Sequence, residues 1–292
     1  MPSLSTFRYV KNYLSHLNPD EVREMSDRPI AIGLVASSND AYLDMEEWLL
    51  PQEMSQSKRE ESAVLLHRAG DPGAPVEFDV VLYEQGLPCP VGAFTFYRHS
   101  PESTVHEIIE ERNDLYVALA AHFPPFRQPV CLDIINRVAR ENAMFTVATS
   151  IPFAMPLLGI GTSVAQFASE TAFLTVNQIR MGFLLAAACD KRVGYSEQKA
   201  EIAGMIAGAF GWRSLARQLI GKLPMAGGLI PKAGIAYAGT YVMGMALERF
   251  YSVGYGLTRE ERQDAYTEAL ERGKATAQNF LSNLRRPQLA RV

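Results

Sequence analysis

The sequence predicts an α+β protein, with a small, incomplete α/β layer in front and an all-α, glycine-rich helical domain behind it. Three observations point there. Ile30 to Val35 is a short continuous apolar run, the mark of a strand buried on both faces. Three further strand-like runs follow before residue 100, the last of them, Val91 to Tyr97, rich in aromatic and β-branched residues. From Ser103 onward no stretch reads convincingly as a strand, and apolar residues recur instead at three- and four-residue steps.

In chain order, residues 1–27 are polar and read as a mobile arm with a short helix around Phe7 to Leu17. The first strand is Ile30 to Val35. Ala41 to Leu50 carries Leu43, Trp48 and Leu49 at near-helical spacing, and Pro51 stops it. Ala63 to His67 and Phe78 to Tyr83 read as strands, separated by the turn cluster Gly70-Asp71-Pro72-Gly73. Val91 to Tyr97 is a fourth. Strand–helix–strand order at this spacing implies a layered α/β unit over residues 28–100. Thr104 with Glu107 reads as a capping box opening a helix to about His122, where Pro124-Pro125 ends it. Pro129 stands where the next helix begins, with Val130, Ile134, Ile135, Val138 and Phe145 as its apolar face. Thr258 with Glu261 forms a second capping box, opening a helix in which Tyr266, Leu270, Gly273, Ala277, Leu281 and Leu284 share a face. The helical domain therefore spans residues 101–284, and residues 285–292 form a basic tail.

Composition excludes several classes. The 28 basic and 32 acidic residues leave no nucleic-acid footprint. Cys89, Cys131 and Cys189 have neither metal-ligand spacing nor the density of a disulfide framework, so buried thiols in a reducing compartment are expected. His16, His67, His99, His106 and His122 form no HxxxH or HExxH arrangement. The amino terminus lacks the apolar core of a secretory signal. Glu107, Glu110, Glu111, Arg112 and Asp114 read as a solvated helix face, and Ser37 and Ser38 have no histidine in a nucleophile motif. No metal or cofactor is expected.

The segment Leu215-Ala216-Arg217-Gln218-Leu219, Leu223-Pro224, Ile230-Pro231-Lys232-Ala233-Gly234, Ala238-Gly239-Thr240-Tyr241, Gly244 and Phe250-Tyr251 carries a likeness. Over roughly Cys131 to Tyr266 the chain resembles the helical domain of unknown function that follows Era-like GTPase domains in many bacterial, often membrane-associated, proteins. The resemblance implies a P-loop-like front domain, whose phosphate loop would read Gly, four residues, then Gly-Lys-Ser/Thr after the first strand. Starting at Gly33, the last three positions hold Ser38, Asn39 and Asp40; starting at Ala36, the four signature positions hold Ala36, Ala41, Tyr42 and Leu43. Neither register has the phosphate-binding lysine. Gly86 is preceded three residues earlier by Tyr83 rather than the Asp that would reach magnesium, and no Asn/Thr-Lys-x-Asp motif lies between Val91 and Cys131. The resemblance thus implies a pseudo-GTPase with no bound nucleotide.

Asn142 to Ser169 is an uncharged run of 28 residues, long enough for a membrane span but interrupted by Pro152 and Pro156. Ile151, Pro152, Pro156, Leu157 and Leu158 are the residues expected to engage a membrane, as a hairpin corner. Gly204, Gly208, Gly239 and Gly244 are expected at close helix–helix contacts, because glycine costs about 1 kcal/mol against alanine within a helix and needs a packing reason. Mean hydropathy near zero keeps much of the chain in water.

The expected function is a non-catalytic, membrane-associated scaffold or partner protein at the cytoplasmic face of a bacterial inner membrane, with a cytoplasmic location as the alternative. Its expected partners are the membrane, an intact GTPase and a second copy of the chain, without nucleic acid. The competing readings are a divergent GTPase that borrows groups from a partner chain and a glycine-rich membrane-inserting module.

Overall fold

The computed structural model describes residues 17–150, 170–205 and 228–285. It is mostly helical, with one small parallel sheet, and its contacts divide it into two compact units. The first comprises Asp20–Leu132 and Ala186–Val193; the second comprises the described parts of Met1–Pro19, Asp133–Leu185 and Gly194–Val292. Ile151, Pro152, Pro156, Leu157, Leu158 and Gly208 lie outside the described residues.

The first unit opens with α1 (Pro19–Ser26), in the stretch read from sequence as an arm. Pro19 starts it where a missing N–H costs nothing, and Asp20 and Glu21 sit favourably in its first turn. β1 (Ile32–Val35) leads into α2 (Asn39–Leu49) and α3 (Gln56–Ala63), followed by β2 (Leu66–Arg68), β3 (Val80–Glu84) and β4 (Phe94–Phe96). All three strand pairings are parallel and the order is β2-β1-β3-β4. Ile32 pairs with Leu66 on one side and Val80 on the other. A strand between two parallel neighbours is covered on both faces, and Ile32 and Leu34 are fully buried. Gly33 is required here because a Cβ would stand 2.8 Å from the Phe78 ring.

Helices cover the sheet. Met45 and Leu49, one turn apart on α2, are buried, and the Trp48 ring lies 5.0 Å from that of Phe96. The chain after β4 forms α4 (Pro101–Glu111) and α5 (Tyr116–His122), two helices where the sequence suggested one. Thr104 does not cap α4. Its hydroxyl donates to the Thr95 carbonyl at 2.9 Å and accepts from the Tyr97 amide at 3.1 Å, tying the helix to β4, while Ser100 and Pro101 begin the helix. Pro124 and Pro125 open α6 (Pro124–Ser150) rather than simply ending α5, and Pro129 lies inside it. Phe123 and Phe126 are fully buried in this unit; each contributes roughly 1.5–3 kcal/mol through apolar burial.

α7 (Glu170–Ala188) ends in the first unit. Its last turn is closed by the Lys191 amide on the Ala186 carbonyl (2.8 Å) and the Asp190 amide on the Ala187 carbonyl (3.0 Å). This is the double bond of a Schellman stop, with Asp190 at φ 56° in the left-handed position that glycine usually fills. Lys58 holds the Asp190 carboxylate at 2.9 Å.

In the second unit, residues 199–205 are helical, and α8 (Leu229–Val253) and α9 (Arg259–Arg285) form a hairpin. Gly254, left-handed at φ 86°, stops α8. The two helices cross at glycine: a Cβ on Gly273 would stand 2.6 Å from Tyr237 Cβ and 2.9 Å from Gly234 Cα. Gly244 faces Ile135 of α6 at 2.7 Å and Met181 of α7 at 3.1 Å in the same sense. Gly239 is buried and Gly204 exposed, and among the described residues neither has an atom from another element within 4 Å of where a Cβ would stand. A polar layer joins α6, α7 and α8. Asn142 donates to the Thr240 hydroxyl at 2.8 Å and accepts from Asn177 at 2.9 Å, while Gln178 donates to Thr240 at 3.2 Å. Asn142 and Thr240 are fully buried.

The capping box at α9 is present as the sequence predicts: the Thr258 amide donates to Glu261 at 2.8 Å and the Glu261 amide to the Thr258 hydroxyl at 3.2 Å. The Thr258 amide and then the Arg249 guanidinium pull the Glu261 carboxyl from its usual 4.5 down to about 2. Its lowered folded value means that it supports the hairpin above pH 4.5 and that the support disappears as pH falls toward 2. A carboxyl NMR titration should place the Glu261 midpoint near 2, and Arg249→Ala should move it upward; a midpoint at 4.5 in the parent protein would show that the cap is not formed in solution.

Candidate functional site at the carboxyl edge of the sheet

In open parallel sheets the crevice for a ligand lies beyond the carboxyl ends of the strands, where the strand order reverses. Here the reversal falls between β1 and β3. The residues at that edge are Ser37, Ser38 and Asn39 after β1, Glu84 at the end of β3, and Arg68 at the end of β2.

Ser38 caps α2, its hydroxyl accepting from the Ala41 amide at 3.2 Å. The preceding residue, Ser37, turns toward β3: its amide donates to Glu84 Oε2 at 2.7 Å and its hydroxyl to the same oxygen at 2.6 Å. Those two bonds, the hydroxyl's first and the amide's second, hold the Glu84 carboxyl below its ordinary range. A carboxylate stabilised in this way is a weaker base than a free one. The pair ties the loop after β1 to the end of β3.

The cations at this edge are also engaged. Arg68 donates to Glu46 at 2.9 and 3.3 Å and to the Asn39 side-chain oxygen at 2.8 Å, and its guanidinium stands 4.9 Å over the Tyr42 ring. Hydrogen bonding to Glu46 raises its pKa further. Arg98 pairs with Asp44 at 3.0 Å. Both arginines thus face the acidic side of α2. In the two loop registers considered from sequence, Gly33 lies under Phe78, while Asn39 and Tyr42 serve Arg68. Tyr83, three residues before Gly86, pairs with Val35 and Thr95 in the sheet.

The other singled-out polar residues are dispersed. His67 lies on β2 with its ring 6.0 Å from Phe78. His122 is largely buried, its Nδ1 without a hydrogen-bond partner and 3.7 Å from Glu61. Burial, then the Lys58 charge, lowers its pKa. Glu107, Glu110 and Glu111 are exposed. Arg112 and Asp114 instead join Arg28 and Asp79 in an ion cluster at the amino edge, where Asp79 also accepts from the Ala31 amide at 2.9 Å. Among the described residues, no three His, Cys, Asp or Glu side chains converge as metal ligands, and no helix is long and apolar enough to cross a membrane.

The Ser37–Glu84 tie could not be found from the sequence, since 47 positions separate two ordinary polar residues. Only the register of β1 against β3 brings them together. Compared with family models, curated proteins and solved structures, the chain matches none.

Proposed function

We propose that this chain is a non-catalytic scaffold or partner protein associated with a membrane, with a degenerate, P-loop-like α/β unit in front of a helical domain of the GTPase-following kind. It works at the cytoplasmic face of a bacterial membrane beside an intact GTPase. The observation that carries the non-catalytic half is the Ser37–Glu84 tie. A phosphate loop must leave backbone amides open to phosphate oxygens. Here the amide after Ala36 is already satisfied by a carboxylate of the chain itself. A phosphate brought to that amide would meet the like charge of Glu84 at close range. Neither arginine at the edge offers compensation without abandoning Glu46 or Asp44.

Isothermal titration with GTP and magnesium should show no saturable binding at micromolar concentrations. A dissociation constant below about 10 μM, roughly −7 kcal/mol, would overturn the non-catalytic reading.

The membrane half rests on the uncharged run from Asn142 to Ser169. Wild-type protein should float with lipid vesicles, and Leu158→Arg should float less, since a charge at membrane depth costs about 2.5–3.5 kcal/mol on insertion scales. Wild-type protein left in the soluble fraction would refute membrane association, and equal flotation of both would remove this run as the attachment.

A further inference from the structure

Cys131 on α6 and Cys189 at the end of α7 are separated by 58 positions, yet their sulfurs lie 3.8 Å apart in the interior of the first unit. Two sulfurs in van der Waals contact from distant parts of the chain need only close from 3.8 Å to a bond length of about 2.05 Å to form a cross-link. Each belongs to a different piece of a discontinuous unit: Cys131 to Asp20–Leu132, and Cys189 to the returning piece Ala186–Val193. Cysteines packed only for their volume need no such partner.

We propose that Cys131 and Cys189 are a reversible dithiol–disulfide site, oxidised by a hydroperoxide and reduced by a dithiol, which covalently joins the two pieces of the first unit. The Cys189 thiolate attacks the peroxide, the O–O bond breaks, and Cys189 becomes a sulfenic acid as one water leaves. Cys131 sulfur then attacks the Cys189 sulfur, the S–O bond breaks, and a second water leaves. Two thiols and one hydrogen peroxide give one disulfide and two waters. A dithiol reverses the step by exchange, leaving as its own cyclic disulfide.

Both thiols are buried, Cys131 fully and Cys189 at 4% exposure, so the oxidant needs a route. The geometry of the helix end supplies one. Cys189 is the capping residue of the Schellman stop, and Asp190 beside it holds a left-handed backbone without being glycine. Helix ends of this kind open locally at far lower cost than the whole unit. The Lys58–Asp190 ion pair closes this one from outside. Lys58 thereby acts as a latch on access to Cys189, and its loss should speed oxidation without altering the thiols.

The test uses full-length protein carrying Cys89→Ser, which removes the exposed thiol. Folded protein is treated with hydrogen peroxide, alkylated after denaturation without reductant, and weighed intact. The expected product has lost about 2 Da, two hydrogens, takes up no alkylating agent, maps to a Cys131–Cys189 peptide, and regains both thiols with dithiothreitol. Its melting temperature should exceed that of the reduced form, because the bond closes a long loop in the unfolded chain. Cys131→Ser should show no such rise and should leave a sulfenic acid at Cys189 that a dimedone probe captures. Lys58→Met should form the bond several-fold faster. Both thiols still alkylating after exposure that oxidises surface methionines, or stepwise addition of oxygen to either cysteine without a cross-link, would overturn the proposal. A disulfide that leaves the melting temperature unchanged would overturn the joining role.

Discussion

Leucine in place of Gly273 should lower the melting temperature of the protein by roughly 5–10 °C. The Cβ alone would stand 2.6 Å from Tyr237 Cβ and about 3 Å from the Gly234 backbone, and the backbone cannot rotate aside as a flexible side chain does. α8 and α9 must therefore separate along their contact. Overpacking costs typically about 1–3 kcal/mol and occasionally more, and each kcal/mol moves melting by roughly 2–4 °C at this size. Gly239→Ala is the control on the same hairpin. Among the described residues a Cβ there meets no other element within 4 Å, so alanine should leave stability unchanged or raise it by up to about 1 kcal/mol through helix propensity. Equal melting of Gly273→Leu and the parent protein would show that the crossing is looser in solution.

Asn142→Leu should destabilise by roughly 1–3 kcal/mol in denaturant titration, the usual cost of disrupting a buried hydrogen-bonded group, since Thr240 keeps Gln178 and Asn177 keeps Glu141 as second partners. Thr240 loses its 2.8 Å donor and Asn177 its 2.9 Å acceptor in the core of α6, α7 and α8. The informative measurement is the cycle with Thr240→Val. Removing a donor and its acceptor together replaces a broken bond with apolar contact, so the double variant should lose distinctly less than the sum of the singles. Strict additivity would mean that the two side chains do not meet. The layer would then have to be sought elsewhere in the bundle.

Much of the architecture was legible wherever burial sets a pattern. Ile30 to Val35 read as a buried strand because both faces of β1 are covered, and Thr258 with Glu261 declared the start of α9 because a capping box is a local motif. Gln56–Ala63 went unread as a helix because its sequence, Gln-Ser-Lys-Arg-Glu-Glu-Ser-Ala, buries only Ser62 and so shows no apolar period. Thr104 misled for a physical reason: a hydroxyl suited to capping is equally suited to a strand carbonyl, and β4 lies beside it. Gly273 stood out as part of a periodic face, but its pairing with Gly234 depends on the turn between α8 and α9, which no spacing rule specifies. The carboxyl edge was the least legible part. Only the register of β1 against β3 brings Glu84 to Ser37 across 47 positions.

The discontinuity of the first unit has a consequence for synthesis. Its sheet and covering helices are complete by Leu132, but Ala186–Val193, with Cys189 against Cys131 and Asp190 against Lys58, emerges only after the whole of 133–185 has been translated. At about 5–20 residues per second, the ribosome exposes an unfinished α/β unit for several seconds, with Cys131 not yet met by Cys189 and Lys58 paired with Glu61 alone. A stalled chain ending before residue 186 should be far more sensitive to protease in its sheet region than one extended past residue 193 and clear of the exit tunnel.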